Sequence, residues 1–326
     1  MPASNPAITF GAGIPQGWRM DLVEIADPFE KFEAMTRATR EADRLGYDSI
    51  WLFDHFHTVP TPELETTFEC FTSLAALARE TQHVKLGQMA TCNGYRNPAL
   101  LAKMGSTIDA MSHGRFILGF GAGWYEHEYR AYGYGFPETR ERMARFREAT
   151  EIIHKMWTED YPEFSGKYYT IDRPINEPKG VHKPHPPLWI AGSGEQVTLK
   201  LVARWGDGCN FGGGDPDEIR QKIAVLHRHC DDLGRDFNQI TRSTSFRVHL
   251  IESEATAEQE TAQARGAMTM EEYRNVRYVG TQEQVIERLR QIAGLGINYF
   301  IVYLPRIAYD VAPLQQFAER IIPQVR

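Results

Sequence analysis

Cysteine is scarce: four residues in 326, at Cys70, Cys92, Cys209 and Cys230, and no two stand in a Cys-x-x-Cys spacing. That scatter excludes a disulfide framework and a thiolate zinc module. No apolar run approaches the ~20 residues a bilayer span requires. The first dozen residues lack the charged-then-apolar order of a secretory leader. An excess of positive charge is also missing. The formal net charge of −7 offers no general attraction to nucleic acid or to an acidic membrane surface. We therefore expect a cytoplasmic protein that acts on small molecules, with neither nucleic acid nor membrane as partner. Hydrophobic content of 42% and charged content of 24% are those of a globular chain with a sizeable core.

What is present is a repeated alternation. Apolar, β-rich runs occupy 7–14, 49–53, 84–90, 116–120, 188–191, 208–211, 246–251 and 299–304. Most are continuous rather than alternating, as in parallel strands covered on both faces. Helical spacing fills the intervals at 29–45, 97–111, 141–157, 196–205, 216–233 and 282–295. Eight such units predict an α/β fold of the (β/α)8 TIM-barrel kind. A doubly wound sheet is the competitor, but Pro15-Gln16-Gly17-Trp18 after the first strand is no phosphate fingerprint. Two connections are too long for a minimal barrel, about 158–187 and 252–280. We expect them to be insertions covering a barrel end above the substrate, within a single domain spanning 1–326. The segment F-S-G-K-Y-Y-T-I, 164–171, has the pattern of a short hairpin, and the acidic stretch 252–260 that of a solvated loop.

In a barrel the chemistry sits at the C-terminal strand ends. The second strand runs S-I-W-L-F into Asp54 and His55, with His57 two residues on. An acid beside an imidazole at that place is the leading candidate for proton handling. The alternative is that Asp54 caps the following turn and His55 only packs. The fifth strand ends in Ala191-Gly192-Ser193-Gly194, where small residues before a helix leave N–H groups free for a phosphate. The same glycines would equally serve a tight turn. G-F-G-A-G, 119–123, lacks the spacing of a dinucleotide fingerprint, and its glycines suit close approach of a flat ligand to the backbone. A metal site would need further His or Asp ligands from other strand ends, and none are offered. Glu126 or Glu128 pairing with Glu252 or Glu254 as glycosidase carboxylates is a further, weaker reading. His227 and His229 stand two apart on a helix and face different ways.

S-I-W-L-F-D-H-F, T-C-N-G-Y-R-N-P-A-L-L-A-K, G-R-F-I-L-G-F-G-A-G-W-Y-E-H-E and P-P-L-W-I-A-G-S-G-E together resemble the luciferase-like superfamily. The resemblance is to its branch of oxidoreductases that use coenzyme F420, a deazaflavin. It implies that Asp54 helps bind the ring region and that His55 stands beside the hydride-transfer centre. It implies a non-proline cis peptide around Met89-Ala90-Thr91 against the ring, with Asn93 also among the cofactor-binding residues. Ala191, Gly192, Ser193 and Gly194 would lie along the phosphate-bearing tail. His127 joins Asp54 and His55 as a candidate catalytic residue. It stands where a sugar-phosphate branch of the family carries asparagine, and Trp124 where that branch carries glutamate. Those departures, with apolar Trp124 and Tyr125, point to a small uncharged organic substrate. Within the same superfamily, an FMN-dependent monooxygenase served by a separate reductase is the alternative, and a non-catalytic deazaflavin binder a further one. Relatives of this kind are commonly homodimers.

Overall fold

The computed structural model describes residues 7–213 and 215–326. Of the run Gly212-Gly213-Gly214 in the sequence, Gly214 lies outside them. Eight parallel strands close a ring: Thr9–Gly13 (β1), Ser49–Leu52 (β2), Lys85–Gln88 (β3), Phe116–Gly121 (β4), Leu188–Ala191 (β5), Gly208–Asn210 (β6), Thr241–Leu250 (β7) and Tyr299–Tyr303 (β8). Each pairs in parallel with the next, and β8 pairs back with β1 through Thr9 opposite Tyr299. The (β/α)8 barrel expected from the alternation is the observed fold.

Helices cover the ring because their apolar faces need the strands' outer side chains. Pro28–Arg44 starts on an Asp27 cap with proline in its first turn, and Pro98–Met111 repeats the device with Asn97. Pro216–Leu233 ends on Gly234 in the left-handed conformation. Phe10, Ile50, Leu86, Phe116, Leu118 and Phe120 belong to the core these helices cover. Inside the ring, Trp51 and Trp189 stand 5.0 Å apart by ring centroids and pack with Tyr299 and Ile301. Glycines make that possible: a Cβ on Gly11 or Gly87 would lie within 2.5 Å of the Trp51 ring system. Two indoles therefore fill the lumen, and the barrel is closed below its mouth.

Three elements differ from expectation. Cys70–Glu80 is a helix, capped by Glu69, whose carboxylate accepts the N–H groups of Phe71 and Thr72. Glutamate is an unusual cap, which hid the helix start. β7 begins at Thr241, five residues before its apolar part, because its polar side chains find partners in the sheet: Ser243 donates to the Cys209 carbonyl at 2.7 Å. The acidic stretch is no loop, since Ala257–Arg265 is a helix and Glu252 and Glu254 pair with Arg320 and Arg274.

The hairpin of the first long connection is present, with Glu163–Ser165 antiparallel to Thr170–Asp172. Its turn is held on the flank of helix Thr139–Thr158, where Glu148 accepts three successive N–H groups, Lys167 to Tyr169. The second connection adds Tyr278–Gly280 as a strand beside the far end of β7. Among the described residues no helix is long and apolar enough to cross a membrane.

The β3–β4 contact depends on one glycine. A Cβ at Gly119 would come within 1.8 Å of the Gln88 carbonyl oxygen, so the β3 backbone would have to move. Gly119→Ala is expected to cost roughly 1–3 kcal/mol. Urea unfolding of the variant checks this, and an unshifted midpoint would refute the contact.

Candidate active site

The strand ends converge on a cavity of about 580 Å³ at the C-terminal mouth. That is within the ordinary range for a small-molecule site. β2 contributes Phe53, Asp54 and His55, and the segment after β3 contributes Met89, Ala90, Thr91 and Cys92. β4 contributes Gly121 to Tyr125, β5 Ala191 to Gly194, β6 Asn210 to Gly212 and β7 Ser245 and Arg247. Trp18 and Arg19 come from the loop after β1. Asp54, His55, Met89, Ala90, Thr91, Ala191, Gly192, Ser193 and Gly194 are thus brought together as expected.

Asn93 and His127 are not brought to this lining. Asn93 faces a second, smaller cavity of about 270 Å³ with Arg142, Arg145 and Tyr169. His127 is exposed on helix Glu126–Ala131, its Nδ1 3.1 Å from His57 Nε2. The physical reason is the helical turn: Glu128, one residue on, takes the inward position and is fully buried. No lining residue comes from 158–187 or 252–280, so neither insertion covers the cavity. Part of the first instead binds the end of helix Pro98–Met111, where Asp109 accepts the N–H groups of Val181 and His182. Of the glycines after β4, Gly121 lines the cavity. Gly123 lines it too, and a Cβ there would come within 2.4 Å of Cys92 Sγ and the Tyr129 hydroxyl.

Asp54 is buried, and its carboxylate is held on both oxygens. Arg96 donates to Oδ2 at 2.7 Å and to Oδ1 at 2.9 Å, and Cys92 N–H donates to Oδ2 at 2.9 Å. Burial raises its pKa, against the charged partner that favours ionisation. Arg96 also donates to Glu69 at 2.7 Å. One guanidinium thus ties the end of β2 to the segment after β3 and to the cap of helix Cys70–Glu80.

His55 has a different partner. Its Nδ1 lies 2.9 Å from Glu128 Oε2, and its ring stacks on Trp18 at 5.1 Å between centroids. Glu128 also accepts from Phe56 N–H at 2.7 Å, His57 N–H at 3.3 Å and the Tyr95 hydroxyl at 2.9 Å. Burial works against its charge, but the His55 bond and the other donors outweigh it and hold the pKa below the usual carboxylate value. An ionised carboxylate accepts only, so His55 Nδ1 carries a proton. In the neutral imidazole Nε2 is then the basic nitrogen. The weaker sequence reading that paired Glu126 or Glu128 with Glu252 or Glu254 is not met, since Glu252 and Glu254 belong to surface ion pairs with Arg320 and Arg274. The signal for the true pairing was weak, because Glu126 and Glu128 alternate on a helix and only tertiary contact chooses between them.

The rest of the lining suits a planar, partly polar ligand. Met89–Ala90 is a cis peptide, as the resemblance implied. Thr91 Oγ1 is fully buried in the lining and has no protein partner. Such an atom needs a ligand or water to satisfy it. Gly192 holds φ +112°, a conformation side chains resist, and helix Thr198–Trp205 begins without a side-chain cap. In that first turn Leu199 N–H donates to the Gly194 carbonyl at 3.0 Å, while the N–H groups of Thr198 and Lys200 have no partner among the described residues and can meet an anionic group. The donor set and the volume fit a flavin-sized cofactor with a phosphate-bearing tail.

Comparison with known proteins agrees with this geometry. The chain is 33% identical over 226 residues to the F420-dependent glucose-6-phosphate dehydrogenase of Kineococcus radiotolerans, a match covering 67% of this chain and 64% of that enzyme. It is 29% identical to the enzyme of the same name from Intrasporangium calvum, over 95% of this chain and 98% of that one. Among solved structures, an F420-dependent secondary alcohol dehydrogenase in complex with an F420-acetone adduct superposes with a TM-score of 0.80 at 20% identity, covering 98% of this chain and 100% of that one. The EDTA monooxygenase of Chelativorans sp. BNC1 superposes with a TM-score of 0.82 at 16% identity, over 98% of this chain and 94% of that chain. The profile of luciferase-like monooxygenases matches residues 10–299, and the chain belongs to that family.

Proposed function

We propose that this chain is an F420-dependent oxidoreductase acting on a small organic substrate. The observation that carries the reading is His55 at the barrel mouth, its Nδ1 proton held by a buried, ionised Glu128 and its Nε2 left as the basic nitrogen. The deazaflavin supplies two-electron hydride transfer when bound. The chain's residues do the remainder. His55 Nε2 takes the proton from a substrate hydroxyl during oxidation and returns it to a carbonyl oxygen during reduction. Trp18 and Glu128 fix the imidazole plane and its tautomer. Met89, Ala90 and Thr91 form the wall against the ring, and Gly192, Ser193 and Thr198 receive the phosphate-bearing tail. Asp54 acts through position, anchoring the β2 end beside that wall. The same reading takes residues 1–326 as one domain that assembles as a homodimer, to be measured by light scattering.

Fluorescence titration with F420 and with FMN tests the cofactor. We expect saturable deazaflavin binding in the micromolar range or tighter, and much weaker FMN binding. Micromolar FMN affinity without deazaflavin binding would replace this reading with the flavin monooxygenase one. Deazaflavin binding without turnover over a panel of alcohols, carbonyls and enones would leave only a binding protein.

A further inference from the structure

Two cations in the cavity are left unused by the cofactor reading. Arg19 stands on the loop after β1, and Arg247 projects from β7. Neither forms an ion pair or donates a side-chain hydrogen bond among the described residues. Arg19 lies over the Trp18 ring at 4.4 Å, the same indole that stacks on His55. Its pKa is lowered to about 10, by burial first and then by Arg247, so the two guanidinium groups feel one another. Asp21 offsets part of the charge at Arg19, and no acid forms an ion pair with either guanidinium among the described residues. Asp21 accepts the Gly17 N–H at 2.7 Å, with its own pKa raised to about 6 by burial, and Glu24 is paired with Arg306. Arg277, half-buried, donates to the carbonyls of Val248 and Tyr303 and adds positive charge beside Arg247. Tyr303, in register with Arg247, has a buried hydroxyl without a partner.

Both arginines are exposed to solvent within the cavity, and guanidinium groups lining one cavity match the oxygens of carboxylate and phosphate. In a chain of net charge −7 this local concentration of cations is not a reflection of overall composition. The cofactor tail does not account for it. The tail's proposed seat is after β5, four strands from the Arg19 loop and two from Arg247 on β7. We infer that Arg19 and Arg247 bind an oxyanion of the substrate, a carboxylate or a phosphate monoester, and so present its reacting carbon to His55. The inference rests on the oxidoreductase reading for the word substrate, and it replaces the uncharged substrate expected from Trp124 and Tyr125.

Calorimetric titration of the full chain with inorganic phosphate and with malonate tests it, first without cofactor and then with F420 bound. One or both anions should bind saturably, and Arg19→Gln and Arg247→Gln should each weaken binding roughly tenfold or more. Lys85→Gln, a charge-matched change on the exposed start of β3 at the opposite end of the barrel, should leave the affinity unchanged. Tighter phosphate binding identifies a phosphate monoester, and tighter malonate binding a carboxylate. No saturable binding of either anion, equal affinity in the arginine variants, or an equal loss in Lys85→Gln would each overturn the assignment. The cofactor-free arm separates the two conclusions: failure of F420 to bind would remove the oxidoreductase reading while leaving the anion result standing.

Discussion

Replacing Glu128 by glutamine is expected to lower turnover by roughly a hundred- to ten-thousandfold while leaving deazaflavin affinity unchanged. The side chain keeps its size, so Phe56 and His57 N–H can still be satisfied by the amide oxygen. The amide NH₂ then faces His55 Nδ1 and the Tyr95 hydroxyl, which now receive hydrogen bonds where they had donated them. His55 must move its proton to Nε2, and the nitrogen left to accept a proton points into the protein. His55→Ala should produce a loss of the same order, and the double variant no more than the worse single one, because the two act as a unit. Nitrogen-15 NMR reads the tautomer directly: Nδ1–H in the native chain and Nε2–H in the glutamine variant. A purely structural role would lower stability without moving that signal. Wild-type turnover in either variant would refute the dyad.

The same carboxylate predicts an acid limb in stability. Glu128's folded pKa lies below that of an unfolded glutamate. Its contribution is therefore fully present above the unfolded value and is lost as pH falls through the folded one. The glutamine variant lacks this group, so its stability should fall less between neutral and acid pH. Chemical denaturation across that range measures the difference.

Arg96→Leu, at a guanidinium largely withdrawn from solvent, should cost about 3–5 kcal/mol. It removes both guanidinium bonds to buried Asp54, the bond to Glu69, and the stacking of the guanidinium over Phe71 at 4.5 Å. The cost arises chiefly from an uncompensated carboxylate rather than from the lost attraction. A fall in melting temperature on the order of 10 °C is expected for a chain of this size. Its pH dependence runs opposite to that of Glu128. With the guanidinium gone, burial raises Asp54 unopposed, so the deficit should be small in acid and grow as pH rises through the raised pKa. Asp54→Asn in the same background should recover part of the loss. A deficit below about 1 kcal/mol would show that Arg96 does not carry this junction.

The barrel was legible because its signal is local. Continuous apolar runs such as S-I-W-L-F mark strands buried on both faces, and each is followed by a periodic helix. β7 shows where that signal fails. Thr241 to Ser245 are polar yet buried or nearly so, because neighbouring strands supply their partners: Asn210 donates to Ser243 Oγ at 2.9 Å. The helix Cys70–Glu80 was missed for a related reason, its cap being a glutamate shared with Arg96.

The site divides the same way. That Asp54 and His55 end a buried strand is dictated by sequence, and strand order places them at the mouth of a barrel. Their partners stand 42 and 73 residues away, at Arg96 and Glu128. Helix periodicity could not choose Glu128 over Glu126 or His127, nor could composition show that Arg19 and Arg247 line one cavity. Chain-local chemistry sets which segments are strands and which strand ends carry reactive groups. Which charges meet, and hence which nitrogen of His55 is basic, is set only when the ring closes, because those energies depend on distances between segments that the linear order leaves free.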